Sequence, residues 1–290
     1  MCENQEKWKI LRQKVFERRI RESFELFRRN DIEPILIKGW AASLNYPNPA
    51  ERIYTDIDLA VSEKDYEKGL TLITNITKNG LYVDLHKELR YLDTLEWREL
   101  FGRSRLIKLE VSLIRVLSSE DHLRLLSVHW LNDGGAYKER LRDIYYAAAN
   151  RPEDFDWERC LGAAGEKRRK WVICALKLAE KHLKLDLDDT PVAAIEYEIP
   201  QWVTRTIEKE WSRDIKLEPL RFSKGHIKEF GEQMKIRFSP NPILATVMMD
   251  GELGDTPERF IRAGNFFRRF KLRLTKSLET AFSNIFKHFK

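Results

Sequence analysis

In the segment YPNPAERIYTDIDLAV, Tyr46 to Val61, two aspartates, Asp56 and Asp58, stand one residue apart at the start of an apolar run. Successive side chains of a strand point to opposite faces. In an extended chain, Asp56 and Asp58 therefore share one face while Ile57 and Leu59 enter the core on the other. Two carboxylates on one face repel each other, and a hard divalent cation between them removes the conflict. Mg²⁺ takes such ligands, one or two carboxylates plus substrate phosphates. A lone Asp-x-Asp also occurs in solvated turns and at helix starts, so the pair gains meaning only from its neighbours.

Upstream, ILIKGW reads as a short buried strand, Ile35 to Ile37, that ends at Lys38 and Gly39. Glycine lets main-chain N–H groups approach phosphate oxygens, and Lys38 adds a point charge. A helix through Ala41, Ala42 and Leu44 would turn its positive end to the same anion. A plain strand-to-helix turn is the alternative. Downstream, LYVDLH alternates, with Val83 and Leu85 facing one way and Asp84 and His86 the other. Asp84 is a third carboxylate, and three acidic side chains on two strands beside a glycine turn fit a two-metal phosphoryl-transfer centre. His86 shares the Asp84 face, placed either to touch a phosphate or acceptor or to orient a carboxylate.

The ordered set KG, YPNPxxR, TDIDLAV and VDLH resembles the uncharacterised nucleotidyltransferase family of the DNA polymerase beta-like superfamily. The resemblance runs from about Ile35 to Asn150 and includes two later helical stretches, VLSSEDHLRLLSVHWLN and RLRDIYYAA. It implies that Asp56 and Asp58 ligate metal ions, that Asp84 completes the site and draws a proton from an acceptor hydroxyl, and that Gly39 seats a triphosphate. The wider superfamily has Gly-Ser or Gly-Gly at the turn, whereas this chain has Lys38-Gly39-Trp40. Serine contacts to phosphate therefore do not carry over; Lys38 stands in for the hydroxyl and Trp40 narrows the pocket. Arg52 matches the family's arginine, placed to bind phosphate or to brace its loop through a carboxylate. His129 and Asp143 read as a core histidine and a helix-stabilising aspartate, outside the main site.

The chain has 290 residues, enough for two units with a sizeable core. Lys+Arg number 52 against 46 Asp+Glu, a net charge of +6, a mild excess compatible with polyanionic partners. Cys2, Cys160 and Cys174 are scattered, so neither a disulfide framework nor a zinc site is indicated, and a reducing cytoplasm is the expected location. The N-terminus is charged rather than signal-like, and no stretch approaches a membrane span. There is no nucleophile elbow, no His-Glu-x-x-His and no Gly-x-x-x-x-Gly-Lys loop, which argues against serine hydrolases, zincins and P-loop NTPases.

Around these residues the pattern predicts an α+β fold. A small mixed-sheet nucleotidyltransferase core with flanking helices precedes a mostly helical C-terminal region. A helix from Lys7 to about Asn30 places Trp8, Leu11, Val15, Ile20, Phe24 and Phe27 close to one face. A second, Lys64 to Lys78, stops at Asn79-Gly80. Leu92 to Arg103 reads as irregular, and LIKLEVSLIRVL as a further strand. Ser118, Ser119, Glu120 and Asp121 cap a helix start. The expected domains are 1–117, catalytic, and 118–290, helical, the latter ending in a basic amphipathic helix with Phe267, Phe270, Leu274, Leu278, Phe282, Ile285 and Phe289 on one stripe.

The reading is a nucleotidyltransferase that uses Mg²⁺, or Mn²⁺, to move a nucleoside monophosphate from an NTP to a hydroxyl acceptor with release of pyrophosphate. Its metal and catalytic set is Asp56, Asp58 and Asp84, and its nucleotide contacts are Lys38, Gly39, Trp40, Arg52 and His86. Three alternatives are a transferase acting on RNA such as a tRNA end, gripped by the basic tail, a nucleotide-binding protein without turnover, and a glycosyltransferase using Asp-x-Asp.

Overall fold

The computed structural model describes residues 2–77, 83–89, 95–213 and 241–254, with side chains from residue 7 onward and none for 75–77. The expected stop at Asn79-Gly80, the start of the stretch at Leu92 and the basic C-terminal helix lie outside the described residues.

The first helix, α1 (Cys2–Arg28), places Phe16, Ile20, Phe24 and Phe27 on one buried face, the spacing of a helix stripe. Trp8 and Leu11, expected on that face, are 68% and 53% exposed, because the core against which α1 packs begins only at Phe16. The helix ends as Asp31 turns to φ 58° and the Ile32 N–H reaches back to the Phe27 carbonyl at 3.0 Å.

β1 (Ile35–Leu36) follows, then one turn of helix, α2 (Trp40–Ser43), and a 3₁₀ turn at Pro49–Glu51. β2 (Ile57–Val61) is buried throughout. α3 (Glu63–Thr77) carries the chain across to β3 (Val83–Lys87), which runs parallel to β2 as a helical crossover requires. α4 (Trp97–Arg103) forms where the pattern predicted irregular chain; a seven-residue helix is too short to show a hydrophobic period.

The alternating run expected as one strand is two, β4 (Arg105–Leu109) and β5 (Ser112–Val116), paired antiparallel. Their turn holds no Gly, Asn or Pro and takes Glu110 to φ 54°, so alternation continues across it without a break in the pattern.

The sheet order is β3-β2-β1-β5-β4, with β1 antiparallel to β2 and parallel to β5. This is a five-stranded mixed sheet in an α+β fold. Its core joins Phe24 and Phe27 of α1 to Leu36, Leu59, Leu85 and Val116 of the strands.

Helices α5 (Ser119–Asn132), α6 (Lys138–Ala149), α7 (Trp157–Gly162) and α8 (Glu166–Leu183) continue the chain. The Asp121 N–H donates to Ser118 Oγ at 3.2 Å, the expected cap of α5. The described residues fall into two compact units, one within 1–129 and 139–197, the other within 130–138 and 198–290. The second contains α9 (Gln201–Trp211) and a helix at Pro242–Met248; its Trp211 indole donates to the Gly135 carbonyl at 2.9 Å. No helix among the described residues is long and apolar enough to cross a membrane.

Leu59 is wholly buried on β2, the interior strand that also carries Asp58. Leu59→Ala is expected to lower the unfolding free energy by about 2–5 kcal/mol in urea titration.

Candidate active site

The pairing of β2 with β3 builds the centre. Asp58 is the register partner of Asp84, and Ala60 that of His86. In a parallel pair, register partners project from the same face, so both carboxylates and the imidazole two residues on emerge side by side. Among the described residues, ligand atoms of Asp58, Asp84 and His86 all lie within 4.8 Å of one another. Side-chain exposure grades across the group, 6% for Asp58, 10% for His86 and 61% for Asp84. One carboxylate is deep and the other open to an incoming molecule.

Asp56 is not on the strand. β2 begins at Ile57, and Asp56 sits exposed in the bend before it. It nonetheless feels the cluster: partial desolvation of its carboxyl by the surrounding chain, then the negative charges of Asp58 and Asp84, push its pKa up, against Lys38 and Arg140. The expected repulsion among three carboxylates is present.

Lys38 answers that charge. Its Nζ lies 2.6 Å from Asp58 Oδ1, and His86 Nε2 lies 3.2 Å from the same oxygen and 3.5 Å from Asp84 Oδ2. Burial raises the Asp58 pKa, but the His86 hydrogen bond and the Lys38 ammonium outweigh it and hold the group at about 2. On its other side Lys38 Nζ is 3.4 Å from His129 Nε2. Burial, followed by the charges of Lys38 and Arg140, pushes His129 down to about 3, so its imidazole is neutral. An ammonium has only donors to offer, which makes His129 Nε2 the acceptor in this contact.

Gly39 makes the turn that presents Lys38. It sits at φ 60°, ψ −109°, a conformation L side chains rarely adopt, and its pro-Cβ position is 3.5 Å from Tyr54 Cβ. The Ile37 N–H donates to the Asp58 carbonyl at 3.1 Å, tying this turn to β2. The helix that follows is a single turn, Trp40–Ser43, so the dipole expected at its start is small. Trp40 points into the core, 4% exposed, with Nε1 3.4 Å from Glu17 Oε1.

Arg52 grips Asp143 of α6 with two bonds, Nε to Oδ1 at 2.7 Å and Nη2 to Oδ2 at 2.8 Å. Tyr46 donates to the same carboxylate at 2.6 Å. Both ends of the Tyr46–Arg52 loop are thereby fastened to one buried residue. Asp143 is thus the carboxylate that braces Arg52, and His129 is the neighbour of Lys38, although the sequence alone places both outside the site. Arg52 with a later acidic residue was a usable signal for the first, whereas nothing in the chain before folding shows which turn of α5 backs Lys38.

A family model described as uncharacterised nucleotidyltransferase matches residues 3–184, from the start of α1 to the residue that caps α8. The chain belongs to the uncharacterised nucleotidyltransferase family. No curated protein and no solved structure matches it. In this nucleotidyltransferase the matched span contains the whole sheet, the acidic cluster and the Arg52–Asp143 brace.

Two variants test the electrostatics. Asp58 is held below its ordinary pKa, so its charge stabilises the fold by about 2 kcal/mol above the unfolded value, and that contribution disappears as pH falls through about 2. Asp56 is raised, so its charge opposes folding at neutral pH. Denaturant titration at pH 7 is expected to find Asp58→Asn less stable than wild type and Asp56→Asn equal or more stable. Arg52→Ala is expected to cost about 3–5 kcal/mol, because it strands a buried carboxylate, with Arg52→Lys in between.

Proposed function

We propose that this family member is a metal-dependent nucleotidyltransferase that moves a nucleoside monophosphate from an NTP to a hydroxyl acceptor and releases pyrophosphate. The observation that carries the reading is the register-matched pair Asp58 and Asp84, with His86, beside the Lys38-Gly39 turn.

The donor set fits a divalent cation. Asp58, Asp84 and His86 already converge within 4.8 Å, and an ammonium already sits against Asp58, the mark of a place that attracts positive charge. Asp58 and Asp84, with Asp56 beside them, would hold Mg²⁺ or Mn²⁺, oxygen donors being the ligands these ions prefer. When bound, the metal neutralises phosphate charge and lowers the barrier to displacement.

The chain's own residues do the rest. Lys38 keeps Asp58 oriented and offers its ammonium to a phosphate oxygen that competes for it. Gly39, with no side chain, lets the triphosphate come close to the backbone. His86 fixes the Asp58 carboxylate through Nε2. Arg52 acts by bracing the loop that leads into Asp56, and Trp40 shapes the turn from the core side. Asp84, the exposed carboxylate, takes the proton of the acceptor hydroxyl. The hydroxyl oxygen bonds to the α-phosphorus as the bond to pyrophosphate breaks, and pyrophosphate leaves with the electron pair. The three scattered cysteines, without Cys-x-x-Cys spacing, support a reducing compartment, the cytoplasm.

Pyrophosphate release is measured with each NTP, Mg²⁺ or Mn²⁺, and a panel of RNA, protein and small hydroxyl acceptors. Asp58→Asn and Asp84→Asn are each expected to lower the rate about a hundredfold or more. Turnover at the wild-type rate in Asp58→Asn would contradict the reading.

A further inference from the structure

Lys38 has a second contact that pairing with a carboxylate does not require. An ammonium carries three N–H donors and no acceptor. Among the described residues, Lys38 Nζ meets two side chains, Asp58 Oδ1 at 2.6 Å and His129 Nε2 at 3.4 Å. Because Nζ only donates, Nε2 accepts, and the imidazole is neutral. One donor is left for a ligand, and the Lys38 side chain, 12% exposed, is not sealed from solvent. Asp58 does not have to release the lysine for a metal to enter. Lys38 and His86 both hold Oδ1, and no side chain among the described residues takes Oδ2.

The chemistry of this second acceptor matters. A carboxylate at position 129 would take the N–H and also cancel the charge that Asp58 already draws on. A neutral imidazole takes the N–H and leaves the charge for an anion. A lysine stem is flexible, so fixing its head before the anion arrives removes the cost of ordering it from binding. His129 can serve as the fixed point because α5 is itself anchored; Leu125 and Val128, on the turn leading to it, are wholly buried. Arg140 of α6 adds positive charge to the same region, felt by both His129 and Asp56.

We infer that His129 is a positioning residue for the triphosphate: it holds the Lys38 ammonium so that one N–H stays on Asp58, one on His129, and the third meets a phosphate oxygen. The inference rests on the nucleotidyltransferase reading and adds the residue that prepares Lys38 for its ligand. His129 acts through Lys38 and touches no phosphate itself. Its removal therefore weakens phosphate binding only while the ammonium is present, which is a coupling that a purely structural histidine would not show.

Calorimetry on the full chain in Mg²⁺ tests it, with tripolyphosphate and the four NTPs as titrants. The variants are His129→Leu and His129→Ala, which lack an acceptor, His129→Gln, which keeps a neutral one, Lys38→Met, and Lys38→Met combined with His129→Leu. Tripolyphosphate affinity is expected to fall about tenfold in His129→Leu and His129→Ala and to recover to within about threefold of wild type in His129→Gln. On the Lys38→Met background, His129→Leu is expected to change affinity by less than about twofold. Wild-type affinity in His129→Leu and His129→Ala, a loss in His129→Gln as large as theirs, or the same loss with and without Lys38 overturns the inference and leaves the catalytic reading standing. Failure of wild type to bind either tripolyphosphate or any NTP overturns both.

Discussion

Like charge held at close range is the constraint on which this structure turns. The α3 crossover makes β2 and β3 parallel, and their register sets Asp58 beside Asp84 with Asp56 at the edge. A carboxylate as buried as Asp58 is costly unless paired and hydrogen-bonded. Lys38 and His86 provide both, and Lys38 reaches Asp58 because β1 lies antiparallel to β2 and ends in a turn with positive φ. The sheet order, the glycine and the lysine are parts of one solution to a single electrostatic problem.

The helices that follow the sheet belong to the same solution. His129 of α5 accepts from the far side of Lys38, and Asp143 of α6 holds Arg52 and Tyr46, so the loop entering Asp56 is fastened at two points. The family match extends through these helices to residue 184, well past the last strand. A site whose first carboxylates come from a short sheet thus depends on side chains nearly a hundred residues later; Arg52 and Asp143 are 91 apart in the chain.

Much of this was legible before folding, and the reasons are local. Alternation in VDLH put Asp84 and His86 on one face, and β3 keeps it. The Ser118 cap and the apolar stripe of α1 from Ile20 to Phe27 follow from short-range rules. What escaped is of another kind. Asp56 lies one residue ahead of β2, which starts at Ile57, because a strand's first residue is set by its partners rather than by its own sequence, yet it still feels Asp58 and Asp84. The β4–β5 hairpin hid because Glu110 turns the chain without a turn-forming residue. The contacts of Lys38 with Asp58 and His129 are tertiary, and no spacing announces them.

Mn²⁺ binding, followed by the loss of its free-ion electron paramagnetic resonance signal with and without an NTP, addresses the central claim most directly. The account predicts one or more bound ions in wild type, tighter with NTP present, and none at the same concentrations in the Asp58→Asn/Asp84→Asn protein. Equal Mn²⁺ binding in that protein and in wild type would contradict it, since the charge cluster would then have no part in holding the metal.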